Sequence, residues 1–331
     1  MRNSAIAVSG LRKTYGDKIV LDSIDLDVRA GTVFSLLGPN GAGKTTTVNV
    51  LSTLMKADGG SVRVAGHDVT TEAKAVRAAI GVTGQFAAVD DLLTGQENLQ
   101  LMVDLNGVPS TEGKRTVTEL LERFDLVEAA QKPASTYSGG MRRKLDLAMT
   151  LVGNPKIIFL DEPTTGLDPR SRRTMWSIIR DLVTDGVTIF LTTQYLEEAD
   201  QLADHIAVLD QGRLVAQGTP DELKRQIPGT HVRLRFTNIS RIDAAAHLFP
   251  DSKRDDEALT LRVPSDGGTK SLRALLDRLD EYSLSAEEFS VHTPDLDDVF
   301  LALTGHDTEV VGNDAATPVV MPEPSGSEVE A

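Results

Sequence analysis

Gly38-Pro39-Asn40-Gly41-Ala42-Gly43-Lys44-Thr45-Thr46 is the stretch that decides the fold of this chain. It follows Val33-Phe34-Ser35-Leu36-Leu37, an apolar run of the kind that makes a strand buried on both faces, and it precedes residues 47–55, whose apolar positions take helical spacing. Strand, glycine loop and helix in that order give the phosphate-loop pattern Gly-x4-Gly-Lys-Thr its structural context. The glycines let successive backbone N–H groups turn inward on phosphate oxygens, and the helix N-terminus adds partial positive charge. The nucleotide contacts expected here are Gly38, Pro39, Asn40, Gly41, Ala42, Gly43, Lys44, Thr45 and Thr46. Lys44 reaches the β and γ phosphates of ATP, and the Thr45 hydroxyl reaches the Mg²⁺ that comes with it.

A second site lies at Ile157-Ile158-Phe159-Leu160-Asp161-Glu162. Four apolar residues make a buried strand that ends in two acids, which places Asp161 to hold Mg²⁺ and Glu162 to polarise a water. An isolated Asp-Glu pair at a strand end is ordinarily a solvated terminus. Following a phosphate loop in the same strand and helix alternation, it reads as a Walker B pair.

Outward from these motifs, residues 5–30 alternate as antiparallel strands with turn signals at Gly16-Asp17 and Ala30-Gly31. Residues 92–130 carry the 3- and 4-residue apolar spacing of a helical insertion. Strands are expected at 156–160, 187–193, 206–209 and 213–216, with helices around 171–183 and 196–202. This alternation predicts an α/β core on a mostly parallel sheet, residues 1–228. Residues 229–305 read as a small α+β accessory domain: strands 231–236, 259–263 and 288–293, helices 241–248, 270–282 and 295–303. Residues 306–331 hold no Lys or Arg and read as a disordered acidic tail.

The chain of 331 residues suggests about two domains. Its 34 basic and 49 acidic side chains leave a net charge of −15, which argues against nonspecific nucleic-acid binding. That argument is weaker for the first 230 residues, which are close to neutral. With no cysteine there is no disulfide framework, thiolate metal site or cysteine nucleophile. No apolar run approaches the ~20 residues of a membrane-spanning helix, and the N-terminus lacks the apolar region of a secretory signal, so a cytoplasmic chain is expected.

Tyr137-Ser138-Gly139-Gly140-Met141-Arg142-Arg143, shortly before the acids, resembles the signature loop of ABC-transporter ATPases. With both Walker motifs, the resemblance covers about residues 6–223. It implies a P-loop NTPase cassette with a RecA-like core, an antiparallel β subdomain and a helical subdomain. It also implies a homodimer in which each ATP lies between one copy's phosphate loop and Ser138, Gly139 and Gly140 of the other. Tyr15 corresponds to the aromatic that stacks on adenine, with Val20 beside it, although a tyrosine in a strand also serves as packing. Gln85 resembles the glutamine that reaches the metal and the attacking water and faces the membrane partner. Asp168, in Thr165-Gly166-Leu167-Asp168-Pro169, resembles the residue that crosses the dimer interface.

Where most such ATPases carry a γ-phosphate-sensing histidine, this chain has Gln194. Its amide can donate to phosphate but bears no titrating charge near neutral pH, leaving Glu162 as the general base. Val82-Thr83-Gly84-Gln85, the run 160–173, the run 191–202 and Leu296-Asp297-Asp298-Val299-Phe300-Leu301 further resemble the daunorubicin/doxorubicin-resistance ATP-binding proteins, where Gln at the switch position is usual. That resemblance covers nearly the whole chain up to Gly305.

The function expected is an exporter ATPase that drives a separate ABC-2-type membrane permease from the cytoplasmic face of the membrane and moves an amphiphilic compound. The alternative is a non-transport ABC ATPase acting on nucleic acid or ribosomes. Those proteins usually show a long coiled-coil insertion, zinc-binding cysteines or two ATPase units in one chain. A nucleotide-dependent drug-binding protein without catalysis is a third reading, against which the intact Lys44, Asp161 and Glu162 argue. Arg142-Arg143-Lys144 is expected to be a solvated helix face or a contact for an acidic loop of the partner, and Phe300 to be packing. The accessory domain is expected to stabilise the dimer or regulate the complex.

Overall fold

The computed structural model describes residues 4–85, 87–226, 230–266, 268–292 and 294–305. Phe86, the junction at 227–229 and the acidic segment 306–331 of the sequence reading lie outside the described residues.

The centre is a six-stranded sheet of β3 (Val33–Leu37), β6 (Ile80–Thr83), β7 (Ile157–Asp161), β8 (Thr188–Thr193), β9 (His205–Asp210) and β10 (Arg213–Gly218), in the order β10-β9-β3-β8-β7-β6. All neighbours pair in parallel except β9 and β10. Every residue of β3, β7 and β8 is buried, as a parallel sheet covered on both faces requires. Helices α1 (Lys44–Leu51), α2 (Ala73–Ala79), α5 (Gly139–Leu151), α6 (Pro169–Thr184), α7 (Leu196–Leu202) and α8 (Pro220–Gln226) complete this core. α1 starts three residues earlier than its apolar spacing suggests, because the phosphate loop passes into the helix without a linker. It stops at Leu51, just before Thr53 takes a left-handed φ of 66°.

A second sheet, order β2-β1-β4-β5, is formed by β1 (Ser4–Tyr15), β2 (Lys18–Arg29), β4 (Gly59–Val64) and β5 (His67–Asp68). Between it and the central sheet Ile6, Leu21 and Leu51 pack with Phe34, Phe159 and Phe190. On the other side, α3 (Gly95–Leu105) and α4 (Ser110–Arg123) fill the predicted helical insertion and share a core with α5 through Leu99, Val117, Phe124 and Leu145. Thr94 and Glu97 start α3 with a reciprocal capping box. The architecture is that of a P-loop ATPase cassette with an antiparallel β subdomain and a helical subdomain.

The C-terminal unit is an antiparallel sheet, β12-β13-β11-β14, of β11 (His231–Arg235), β12 (Lys253–Asp255), β13 (Thr260–Pro264) and β14 (Glu288–His292). Helices α9 (Ile239–Leu248) and α10 (Thr269–Glu281) cover Val232, Leu234 and Phe236. The last helix, α11 (Leu296–Thr304), departs from the grouping made on sequence texture. Its apolar face, Leu296, Val299 and Phe300, joins Leu37, Leu196 and Leu223 in a core on the cassette instead of packing in the accessory unit. Among the described residues no helix is long and apolar enough to cross a membrane.

Candidate active site

The phosphate loop lies at the C-terminal end of β3, the central strand, and Lys44 opens α1 directly after it. Two glycines are required by close approach. A Cβ on Gly38 would run into the backbone carbonyl of Leu209. One on Gly43, whose φ is +113°, would lie 2.7 Å from Leu21 Cδ2 and 3.0 Å from the Val20 carbonyl oxygen. The same contact places Val20 beside the loop. Asn40, Gly41 and Thr45 stand at its exposed rim, whereas Ala42 and Lys44 are buried.

Lys44 Nζ donates to the carbonyls of Gly38 at 2.8 Å and Pro39 at 3.1 Å and pairs with Glu162 Oε1 at 3.3 Å. Burial lowers its pKa, and the charges of Glu162 and Asp161 oppose that fall. Asp161 and Glu162 follow from the end of β7, next to β8. The Thr192 hydroxyl donates to Asp161 Oδ1 at 2.5 Å, and the Glu162 N–H donates to the backbone carbonyl and hydroxyl oxygens of Thr192, each at 3.1 Å. Glu162 Oε2 accepts from Gln85 Nε2 and from the Thr165 hydroxyl, each at 3.4 Å. Three chain segments therefore meet at the Glu162 carboxylate: the phosphate-loop lysine, the glutamine after β6, and the turn that carries the acid itself and Thr165.

Arg143 was expected on a solvated face and is instead buried. Its Nε donates to the Pro163 carbonyl at 2.9 Å, Nη1 to the Gly84 carbonyl at 2.7 Å, and Nη2 to the carbonyls of Asp161 at 3.1 Å and Glu162 at 3.4 Å. Asp146, one helical turn on, balances its charge at 3.4 Å. Successive helix residues are turned by about 100°, so three consecutive bases cannot share a face. Arg142 and Lys144 lie to either side and pair with Asp91 and Asp125. The helical phase and the acid at i+3 were the signals that could have found Arg143.

Ser138, Gly139 and Gly140 begin α5, with the Ser138 hydroxyl accepting from the Met141 N–H. A Cβ on Gly140 would come within 2.6 Å of Ser171 Oγ, and Ser171 is itself held by the carboxylate of Asp168, the N-cap of α6. Among the described residues no hydrogen bond or ion pair joins Ser138, Gly139, Gly140 or Asp168 to the Lys44–Glu162 group. Within the described residues these are two separate groups. Tyr15 is 49% exposed and makes no part of the core, its hydroxyl on Met55 Sδ at 2.9 Å and Lys13 Nζ 5.7 Å from its ring. Gln194 directly follows β8 and is half-buried.

Glu198, on α7, escaped the sequence reading altogether. It is wholly buried, accepts from the Thr164 hydroxyl at 2.8 Å and from Trp176 Nε1 at 3.1 Å, and burial pushes its pKa up. In sequence it is one of two adjacent glutamates, with no local feature that tells the buried one from the exposed one.

A phosphate loop whose lysine meets a carboxylate just past the end of β7, two strands away in the sheet, defines a nucleotide-hydrolysing P-loop cassette. A family model described as ABC transporter matches residues 21–165, and one described as ATP-binding protein DrrA1-3-like, C-terminal domain, matches residues 218–304. The chain is 48% identical to a daunorubicin resistance ATP-binding protein of Streptomyces coeruleorubidus, over 94% of this chain and 99% of that one. It is 45% identical to a doxorubicin resistance ATP-binding protein of Mycobacterium tuberculosis, over 93% and 97%. It is 36% identical to a Nod factor export ATP-binding protein of Ralstonia nicotianae, over 91% and 94%. Among solved structures, an ATP-binding subunit of an ABC transporter superposes with a TM-score of 0.61 at 27% identity, over 67% of this chain and 93% of that one. A dimeric ATP-binding cassette in a post-hydrolysis state bound to ADP and Pi gives 0.59 at 25% identity, over 65% and 98%. The chain belongs to the ABC transporter ATP-binding family, in the branch that carries the DrrA1-3-like C-terminal domain, and is an ATPase subunit coupled to transport.

Proposed function

We propose that this chain powers the efflux of an amphiphilic, drug-like compound, as a homodimer closed around two ATP and docked from the cytoplasmic side on a separate ABC-2-type membrane permease. In each half, the phosphate loop and Lys44 bind the triphosphate and Tyr15 with Val20 bind the adenine, while Ser138, Gly139 and Gly140 of the other copy complete the site. Asp168 faces the partner copy. Glu162 takes the proton of the attacking water, and Gln194 positions the γ-phosphate through its amide. Thr45, Asp161 and Gln85 form an all-oxygen donor set of the kind a hard cation takes, and would hold the Mg²⁺ that arrives with ATP. When bound, that ion neutralises phosphate charge. The pair between Lys44 and Glu162 aims both groups at one point.

One observation carries the export reading. The drug-resistance relatives align over nearly their full length, accessory unit included, and family models match residues 21–165 and 218–304. The test is drug accumulation in cells that carry this chain together with a membrane permease subunit. Lower doxorubicin content than in cells carrying Lys44→Ala supports the reading. Equal content with both proteins present at the membrane contradicts it.

A further inference from the structure

Among the described residues, two buried side-chain atoms on adjacent helices make no well-aligned hydrogen bond: Nε of Arg172 on α6, a donor, and Oε2 of Glu198 on α7, an acceptor. Native structures rarely leave such atoms unmatched, so a complementary pair of them asks for an explanation. The other oxygen of Glu198 is committed, to Thr164 two residues past Glu162 and to Trp176 of α6. The Thr193 hydroxyl accepts from the Tyr195 N–H and can donate its own O–H to the same carboxyl, and Arg172 and Arg143 are the cations whose charge acts on that carboxyl. The Arg172 guanidinium meanwhile lies over the Tyr195 ring at 5.0 Å, with Glu197 at 3.8 Å. Both of those alternative contacts are weak: a partly exposed ring and an exposed carboxylate.

The two helices are the ones that matter for closure. α6 begins at Asp168, and Arg172 lies in its first turn, its N–H bonded to the Asp168 carbonyl at 2.9 Å. α7 begins two residues after Gln194. We propose that Arg172 and Glu198 form a latch that closes when the second copy engages the 165–168 segment. Arg172 Nε then turns from Tyr195 and Glu197 onto Glu198 Oε2, fixing the Gln194 switch relative to the Glu162 loop. Both are positioning residues, since neither touches nucleotide. The inference rests on the reading of Asp168 as facing the second copy.

The test is a double-mutant cycle on the full chain assembled with its membrane subunit, reading kcat, KM for ATP and thermal midpoint. Glu198→Gln keeps an oxygen for Thr164 and Trp176 but turns an NH₂ toward Arg172, whereas Arg172→Met keeps the stem without the donor. Each single variant is expected to lower kcat about tenfold, and the double variant by about the same tenfold, because one contact is lost in all three. KM stays within about twofold and the thermal midpoint within a few degrees, which a merely structural role of either residue would not give. Wild-type kcat in either single variant, or losses that multiply to about a hundredfold, would overturn the latch. Dimerisation of Glu162→Gln in ATP, measured in parallel, separates this outcome from failure of the dimer reading. A normal dimer with uncoupled variants removes the latch alone.

Discussion

Glu162 occupies a left-handed backbone conformation, φ 50°, which costs a non-glycine residue about 1 kcal/mol or more. The strain is tolerated because Thr192 takes its N–H and Arg143 takes the carbonyls on both sides of it, and the conformation aims the carboxylate back at Lys44. Replacing Arg143 with Met leaves Asp146 as a lone buried charge and four carbonyls without their donor. A loss of about 3–5 kcal/mol is expected in chemical denaturation, far more than a solvated arginine would give. Gln194→Ala removes an amide but no titrating group. We expect kcat to fall roughly tenfold, with a pH profile between 6 and 8 superimposable on the wild type. An unchanged rate would remove Gln194 from the site. Lys44, Asp161 and Glu162 were legible in sequence because phosphate and metal chemistry fix their type and spacing. Arg143, Thr192 and Glu198 were not, because the groups they hold at the site lie 18 to 59 residues away in the chain.

At the scale of elements, the buried runs of β3, β7 and β8 announced the parallel sheet, whereas α6 starts at Pro169, two residues before the reading from spacing, because Asp168 caps it and proline suits its first position. The short pieces β4, β5, β12 and α2 carry little periodicity and escaped notice. The terminal helix shows how contiguity in sequence can mislead. Asp295 and Asp298 cap it reciprocally, and Asp298 also holds His292 of β14 at 3.1 Å, so it stays tied to the accessory sheet at one end. Its apolar face nevertheless belongs to the cassette. Phe300→Ala should therefore destabilise the cassette by about 3–5 kcal/mol, seen as a lower denaturation midpoint for the ATPase activity itself. Loss confined to the accessory unit would contradict this packing. Truncation after Arg225 likewise removes a wall of the cassette core together with the accessory sheet.

Across the whole molecule, charge divides unevenly. The first 230 residues hold 25 basic and 29 acidic side chains, and the rest hold 9 and 20, so most of the net −15 lies outside the cassette. The cassette can present Lys44 and two helix N-termini to an anionic nucleotide without an opposing field. Among the described residues the Lys44–Glu162 group and the Ser138–Gly140 turn do not meet, and on the proposed reading two copies related by a two-fold axis join them. The direct measurement is the mass of Glu162→Gln in solution with ATP and Mg²⁺, by light scattering. With the general base gone and hydrolysis slowed by about 10²-fold or more, the variant should accumulate as a dimer retaining two ATP. A Glu162→Gln chain that binds ATP and stays monomeric would contradict the account.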